Sequence, residues 1–183
     1  MSEKYKIRDQ TQPYFITFAT TGWVDVFTRS QYADIFLDSI RYCQKEKGLE
    51  VYAWCIMSNH IHLIIGTTGK NKIEDIVRDF KKYTSVHICR AIANNKRESR
   101  REWMLSIFHQ RARESSKHQK YAFWQNEYHP IELSDNRMMD QRLDYIHNNP
   151  VKAGLVYEPS AYVYSSAVDY AGGKGLLDLV MIG

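Results

Sequence analysis

A chain of 183 residues, 44% hydrophobic and 25% charged, is long enough for one substantial core and too short for two full domains. Its formal charge of +4, from 25 Lys or Arg against 21 Asp or Glu, suits a polyanionic partner and equally a plain soluble protein. Three widely spaced cysteines in apolar contexts (Cys43, Cys55, Cys89) argue against a disulfide framework or a CxxC zinc site, and no stretch approaches the ~18 apolar residues of a membrane span. The expectation is a cytoplasmic protein with reduced thiols and no membrane association.

In chain order, "PYFITFATTG" alternates aromatic or branched residues with Thr, the period of a half-buried strand, and Gly22 closes it. "SQYADIFLDSIRYCQKEKG" predicts a helix capped by Ser30, with Ile35, Phe36, Ile40 and Cys43 on one stripe and Gly48 as its stop. "LEVYAWCIMSNHIHLIIGT" reads as two strands joined by a tight turn at Ser58-Asn59. A second helix, "NKIEDIVRDFKKYTSVHICRAIANN", places Ile73, Ile76, Val77, Phe80, Tyr83 or Thr84, and Ile88 at helical spacing, with Arg78, Lys81 and Lys82 outward.

Residues 96–120 hold eight Lys or Arg against three Glu, a solvated face or a nucleic-acid contact, interrupted by a short helix that buries Trp103, Met104, Leu105, Ile107 and Phe108. "YAFWQNEYHPIEL" is strand-like, with Pro130 confining it to an edge or a bend. "SDNRMMDQRLDYIHNNPVKAG" predicts a helix capped near Ser134 or Asp135 and ended by Pro150. With no internal repeat and no linker, the order is βαββαβ: an α+β, ferredoxin-like antiparallel sheet with an added C-terminal helix.

One constellation carries chemistry. In "MSNHIHLIIG", strand alternation sends His60 and His62 to one face and Ile61, Leu63 and Ile65 to the other, with the two imidazoles ~7 Å apart along the strand. That is close enough for both to reach one cation, but two surface histidines on a strand would look the same. On the 136–150 helix, Met139, Leu143 and Ile146 form the apolar stripe, while Tyr145 and Asn149, four apart, share an adjacent face. Asn149 offers a carboxamide oxygen to a hard divalent ion such as Mg²⁺ or Mn²⁺. A phenol titrates near ~10 and is a poor nucleophile at neutral pH unless a partner lowers the barrier.

"MSNHIHLII", "FWQNEYHPIE" and "DYIHNNPVKAGLV", in this order, resemble the signature blocks of the REP-associated tyrosine transposases, within the single-tyrosine HUH endonuclease superfamily. The resemblance covers about residues 13–165, the expected core of a single 1–183 domain. It implies that His60 and His62 bind a divalent metal (Mg²⁺ or Mn²⁺), that Tyr145 is the nucleophile and that Asn149 is a third ligand. It further implies nicking and joining of single-stranded DNA with hairpin ends, through a 5′-phosphotyrosine, by a monomer or by a homodimer that shares active sites. Members often carry proline where this chain has Ser58, and the 89–120 region is longer here than in compact members.

Single-stranded DNA binding calls for cationic tracks and stacking surfaces. Arg78, Lys81, Lys82 and Lys152, together with the aromatics Trp124 and Tyr128, are the candidates. A histidine-triad hydrolase would need a third histidine where Ile64 stands, and no second His-x-Ser/Thr motif of a two-histidine phosphoesterase occurs. The competing reading is a catalytically inactive, ferredoxin-like nucleic-acid binding module derived from a transposase.

Overall fold

The computed structural model describes residues 7–114, 120–126 and 128–182, so residues 115–119 of the basic run lie outside it. The elements are β1 (Tyr14–Ala19), α1 (Ser30–Lys47), β2 (Leu49–Ile56), β3 (His60–Thr67), α2 (Ile73–Asn94), α3 (Arg101–Arg113), β4 (Ile131–Glu132), α4 (Asn136–Lys152) and α5 (Ala167–Tyr170). The sheet runs β2-β3-β1-β4 with antiparallel pairings. This is the ferredoxin-like order, with α3 inserted before a two-residue β4. Pro130 immediately precedes that short edge strand, where a missing N–H costs least.

Strand alternation divides the side chains between two apolar clusters. Ile61, Leu63 and Ile65 of β3, with Tyr14, Ile16 and Phe18 of β1, pack against the stripes of α1 and α2. Ala53, Cys55, Phe15 and Ile64 face the other way and meet Ile146 of α4, with Met138, Met139 and Leu143 alongside. The sheet is therefore covered on both faces, and α4 lies over the one that carries the two histidines.

Helix ends show where local chemistry departs from expectation. Gly48, at φ 73°, stops α1 as expected, but Ser30 is the first helical residue and extended Arg29 stands at the cap without a side-chain bond. Asp135 caps α4, its Oδ1 accepting the Met138 N–H at 2.8 Å. Pro150 does not end α4, which continues to Lys152. The helix stops at Gly154, φ 70°, where the Leu155 N–H reaches Pro150 O (2.9 Å) and the Gly154 N–H reaches Val151 O (2.9 Å). Pro150 lies in the last turn, so its missing N–H removes a single bond, while its carbonyl takes part in the terminating motif. In α3, Met104, Phe108 and Ala112 turn inward at four-residue spacing, which leaves Trp103 53% exposed rather than buried.

Glu98 ties two of these elements together. Its buried carboxylate accepts from Arg100 Nε and Arg29 Nε, each at 3.0 Å, joining the start of α1 to the start of α3. The Arg100 bond first, and then Arg29, hold its pKa at about 2, below the ordinary 4.5. A depressed folded pKa means stability that is complete above the unfolded value and is lost as pH falls from about 4.5 toward 2. Glu98→Gln should cost about 2 kcal/mol near neutral pH, a figure reduced for the half-exposed Arg29, and should flatten the acid limb in urea titrations across that window. An unchanged acid limb would show that this carboxylate does not govern it.

Candidate active site

The β1–β3 register sets Thr17 opposite His62 and Ala19 opposite His60, and β3 begins at His60 directly after the Ser58-Asn59 turn. That turn closes with the Met57 N–H on His60 O at 2.8 Å. The two imidazole centroids lie 4.8 Å apart at 77°, closer than strand spacing alone gives because the rings lean together. His62 is 3% exposed and stacks on Phe15 at 5.7 Å.

The hydrogen bonds fix which nitrogen of each ring is free to accept. Asn149 Nδ2 lies 3.1 Å from His62 Nε2, and an amide nitrogen only donates, so Nε2 carries the lone pair. His62 Nδ1 therefore bears the proton and donates to Thr17 Oγ1 at 2.8 Å. At His60, Nδ1 meets Asn59 Oδ1 at 2.7 Å, while Asn59 Nδ2 donates to Asp25 Oδ1 (3.0 Å) and Trp23 O (3.3 Å). With the Asn59 amide oriented by those two acceptors, its oxygen must accept, so His60 also keeps its lone pair on Nε2.

Burial lowers both histidine pKa values. For His62, burial first and then the neighbouring His60 and Arg142 charges push it down to about 3. Both rings are neutral at physiological pH, the form that can coordinate a cation.

Helix α4 brings the other two predicted residues to this pair. The Tyr145 ring stands 5.2 Å from His62 and 5.9 Å from Phe15, both edge-on, and is 38% exposed. Asn149, one turn later, reaches His62 Nε2. Lys152 Nζ lies 5.9 Å from the Tyr145 ring centroid, and the Arg142 guanidinium lies 4.8 Å from the Phe15 ring, so two cations flank the cluster. Among the described residues no group of three His, Cys, Asp or Glu could hold a metal. The third side chain available to the histidine pair is the Asn149 carboxamide.

The other expected DNA contacts lie elsewhere. Arg78, Lys81 and Lys82 are on α2, across the sheet from the histidines. Arg78 pairs with Asp75 and Asp79. Lys82 is exposed, but Lys81 is half-buried rather than outward, donating to Gln125 O at 3.2 Å and lying over the Phe18 and Tyr128 rings. Trp124 is a clear correction. It is 6% exposed, its Nε1 donates to buried Thr84 Oγ1 at 2.9 Å, and Phe18, Phe27 and Phe123 surround it, so it offers no face to a base. Its aromatic neighbours draw it into the core, and Thr84 satisfies its one donor.

Sequence reasoning passed over Thr17, Asn59, Arg142 and Trp23. Strand alternation would have placed Thr17 on the histidine face, and Arg142 is three residues from Tyr145 on the same helix. Asn59 was read only as a turn former, and nothing local marked Trp23.

The family model for IS200-like transposases matches residues 11–108. The chain belongs to that family, and so to the transposase-type, DNA-processing enzymes. Among solved structures, a REP-associated tyrosine transposase bound to a REP hairpin superposes with a TM-score of 0.66 at 19% identity, covering 100% of this chain and 96% of that one. The two share the fold. A protein described as a transposase from Deinococcus radiodurans R1 gives a TM-score of 0.41 at 20% identity over 81% of this chain and 95% of that one. No curated protein matches. Among the described residues, no helix is long and apolar enough to cross a membrane.

Proposed function

We propose that the protein is a metal-dependent nicking and joining enzyme for single-stranded DNA, acting at hairpin ends of repeated palindromes through a 5′-phosphotyrosine at Tyr145. The observation that carries this reading is the convergence of Tyr145 and Asn149, one turn apart on α4, upon His62, whose ring lies 4.8 Å from that of His60. The shared fold with a transposase that binds a REP hairpin supports the choice of substrate.

His60 and His62 would hold a divalent ion, Mg²⁺ or Mn²⁺, with Asn149 as third donor after its amide rotates to present Oδ1. The donor set fits: two neutral imidazoles with adjacent rings, each with Nδ1–H already engaged and its lone pair on Nε2, and a carboxamide that already lies against His62 Nε2. Such an ion supplies Lewis-acid charge at the scissile phosphate.

The chain's own groups do the rest. Thr17 and Asn59 hold the two rings in the tautomer that leaves Nε2 open, and Asp25 holds Asn59. Lys152 and Arg142 offer positive charge to the phosphate oxygens. The Tyr145 hydroxyl attacks phosphorus, forming a Tyr–O–P bond as the P–O3′ bond breaks. The phenol loses its proton and the departing 3′ oxygen gains one. One phosphodiester is exchanged for another, so the reverse attack by a 3′-hydroxyl rejoins strands without ATP.

The test is incubation with labelled single-stranded hairpins from the DNA flanking its gene, with Mn²⁺ or with EDTA, on a denaturing gel. A slow covalent protein–DNA band that needs the metal is the expected outcome. Binding on a native gel with no covalent band from any hairpin would favour the inactive binding module.

A further inference from the structure

Beside the histidine pair stands an aromatic that the mechanism above does not use. After β1, the chain reverses through Thr20–Trp23, with the Trp23 N–H on Thr20 O at 3.0 Å and Gly22 in the third position at φ 66°, ψ 14°, a left-handed conformation that glycine adopts without steric cost. Helix α3 presses on this turn, since a Cβ at Gly22 would lie 3.1 Å from Ile107 Cγ2. Trp23 follows at φ 54°, the single non-glycine residue with positive φ among those described. Bulky side chains rarely adopt that conformation, and where they do the site often has a function.

The indole gains little burial from this placement. It is 56% exposed, while the core beneath the turn is filled by Val24 and Val26. Its ring and that of His60 meet edge to face at 5.9 Å and 73°, a contact that occupies no more than one face of the indole. Its backbone is pinned at both ends, by the bond to Thr20 and by the Asn59 side chain on Trp23 O. A large flat ring is thus held out into solvent beside His60, whose ring lies 4.8 Å from that of His62.

We propose that Trp23 is a stacking platform for a nucleobase adjacent to the scissile phosphate, positioning single-stranded DNA across His60 and His62. This rests on the nuclease reading above and adds the residue that grips the strand beside the cut. Base–aromatic stacking tolerates any base, so Trp23 would set the path of the strand rather than its sequence. Holding the ring in place before DNA arrives reduces the ordering cost of binding.

The test measures binding of metal-loaded Tyr145→Phe protein, which holds the strand without cutting it, to the hairpin that wild type cleaves. Adding Trp23→Ala should weaken binding by about 5-fold to about 150-fold, the range of one base–aromatic stack. Trp23→Phe should recover most of the affinity. Trp23→Gly, which suits the positive φ, should lose affinity while melting no lower than its parent, which separates stacking from folding. An abasic nucleotide beside the cleaved phosphate should weaken the protein that keeps Trp23 to a similar degree and leave the Trp23→Ala protein unaffected, as a double-mutant cycle requires for a direct contact. Mn²⁺ stabilisation should be the same in both.

Equal affinities before and after the Trp23→Ala change, an abasic penalty that survives the substitution, or loss of Mn²⁺ stabilisation in Trp23→Ala would each overturn the platform. If wild type forms a covalent adduct and Trp23→Ala binds normally, this inference fails alone. If wild type forms no adduct with any hairpin, the nuclease reading fails and the platform falls with it.

Discussion

Tyr145→Phe forms no covalent adduct with single-stranded DNA. Only the attacking oxygen is removed, and no other group in the cluster supplies a tyrosyl hydroxyl at that point on α4. Strand cleavage should fall by roughly 10⁴-fold or more, the size of loss seen when a covalent nucleophile is deleted. The ring itself stays, with its edge contacts to His62 and Phe15, and the side chain is partly exposed, so stability should hold within about 0.5 kcal/mol. Binding to a hairpin on a native gel should be close to wild type, because the ring, Lys152 and Arg142 all remain. A denaturing gel and a melting curve check both halves. An adduct that persists in the variant would assign the nucleophile to another residue.

His62→Ala should abolish the response to metal. An ion at a hundredfold excess over its Kd stabilises a folded protein by about 2.7 kcal/mol, which for a chain of this size raises Tm by roughly 5–10 °C. Wild type should show that shift with Mn²⁺, and His62→Ala should show none and should not cleave. The substitution also opens a gap between Phe15, Thr17 and Asn149 and leaves the Asn149 amide without its partner, so the metal-free variant should be less stable by about 2 kcal/mol. Comparing each protein with and without Mn²⁺ removes that baseline cost. DNA affinity should largely survive, since His62 is buried and flanking cations supply the phosphate contacts. A full Mn²⁺ shift in His62→Ala would place the ion elsewhere.

Much of this site could be read from one dimension because it depends on periodicity. Residues two apart on a strand share a face, as His60 and His62 do, and residues four apart on a helix share a face, as Tyr145 and Asn149 do. The helix that carries the second pair crosses the sheet face that carries the first because Ile146 and its stripe need Phe15, Cys55 and Ile64 to cover them. Sheet order was legible for the same reason, with β4 short and at the edge because Pro130 precedes it.

What was missed depends on contacts between segments distant in sequence. Trp124 looked like an exposed stacking surface, and only the folded chain supplies Thr84 for its indole N–H and four phenylalanines around its ring. Lys81 reads as outward by helical phase, yet Gln125 and Tyr128 fold back over it. Pro150 follows the usual rule for ending a helix, but the rule acts on the missing N–H, and within the last turn that loss is tolerated. Trp23 owes its place to a positive φ after a glycine turn braced by α3, which no local pattern of hydrophobicity reveals.

The measurement that bears most directly on the nuclease reading is mass spectrometry of the trapped protein–DNA adduct after nuclease and trypsin digestion. The expected result is a residual 5′-nucleotide on the phenol of Tyr145, within the tryptic peptide spanning Leu143 to Lys152. A nucleotide attached to any other residue, such as Tyr128 or Tyr157, would contradict the assignment of Tyr145 and the role given to α4.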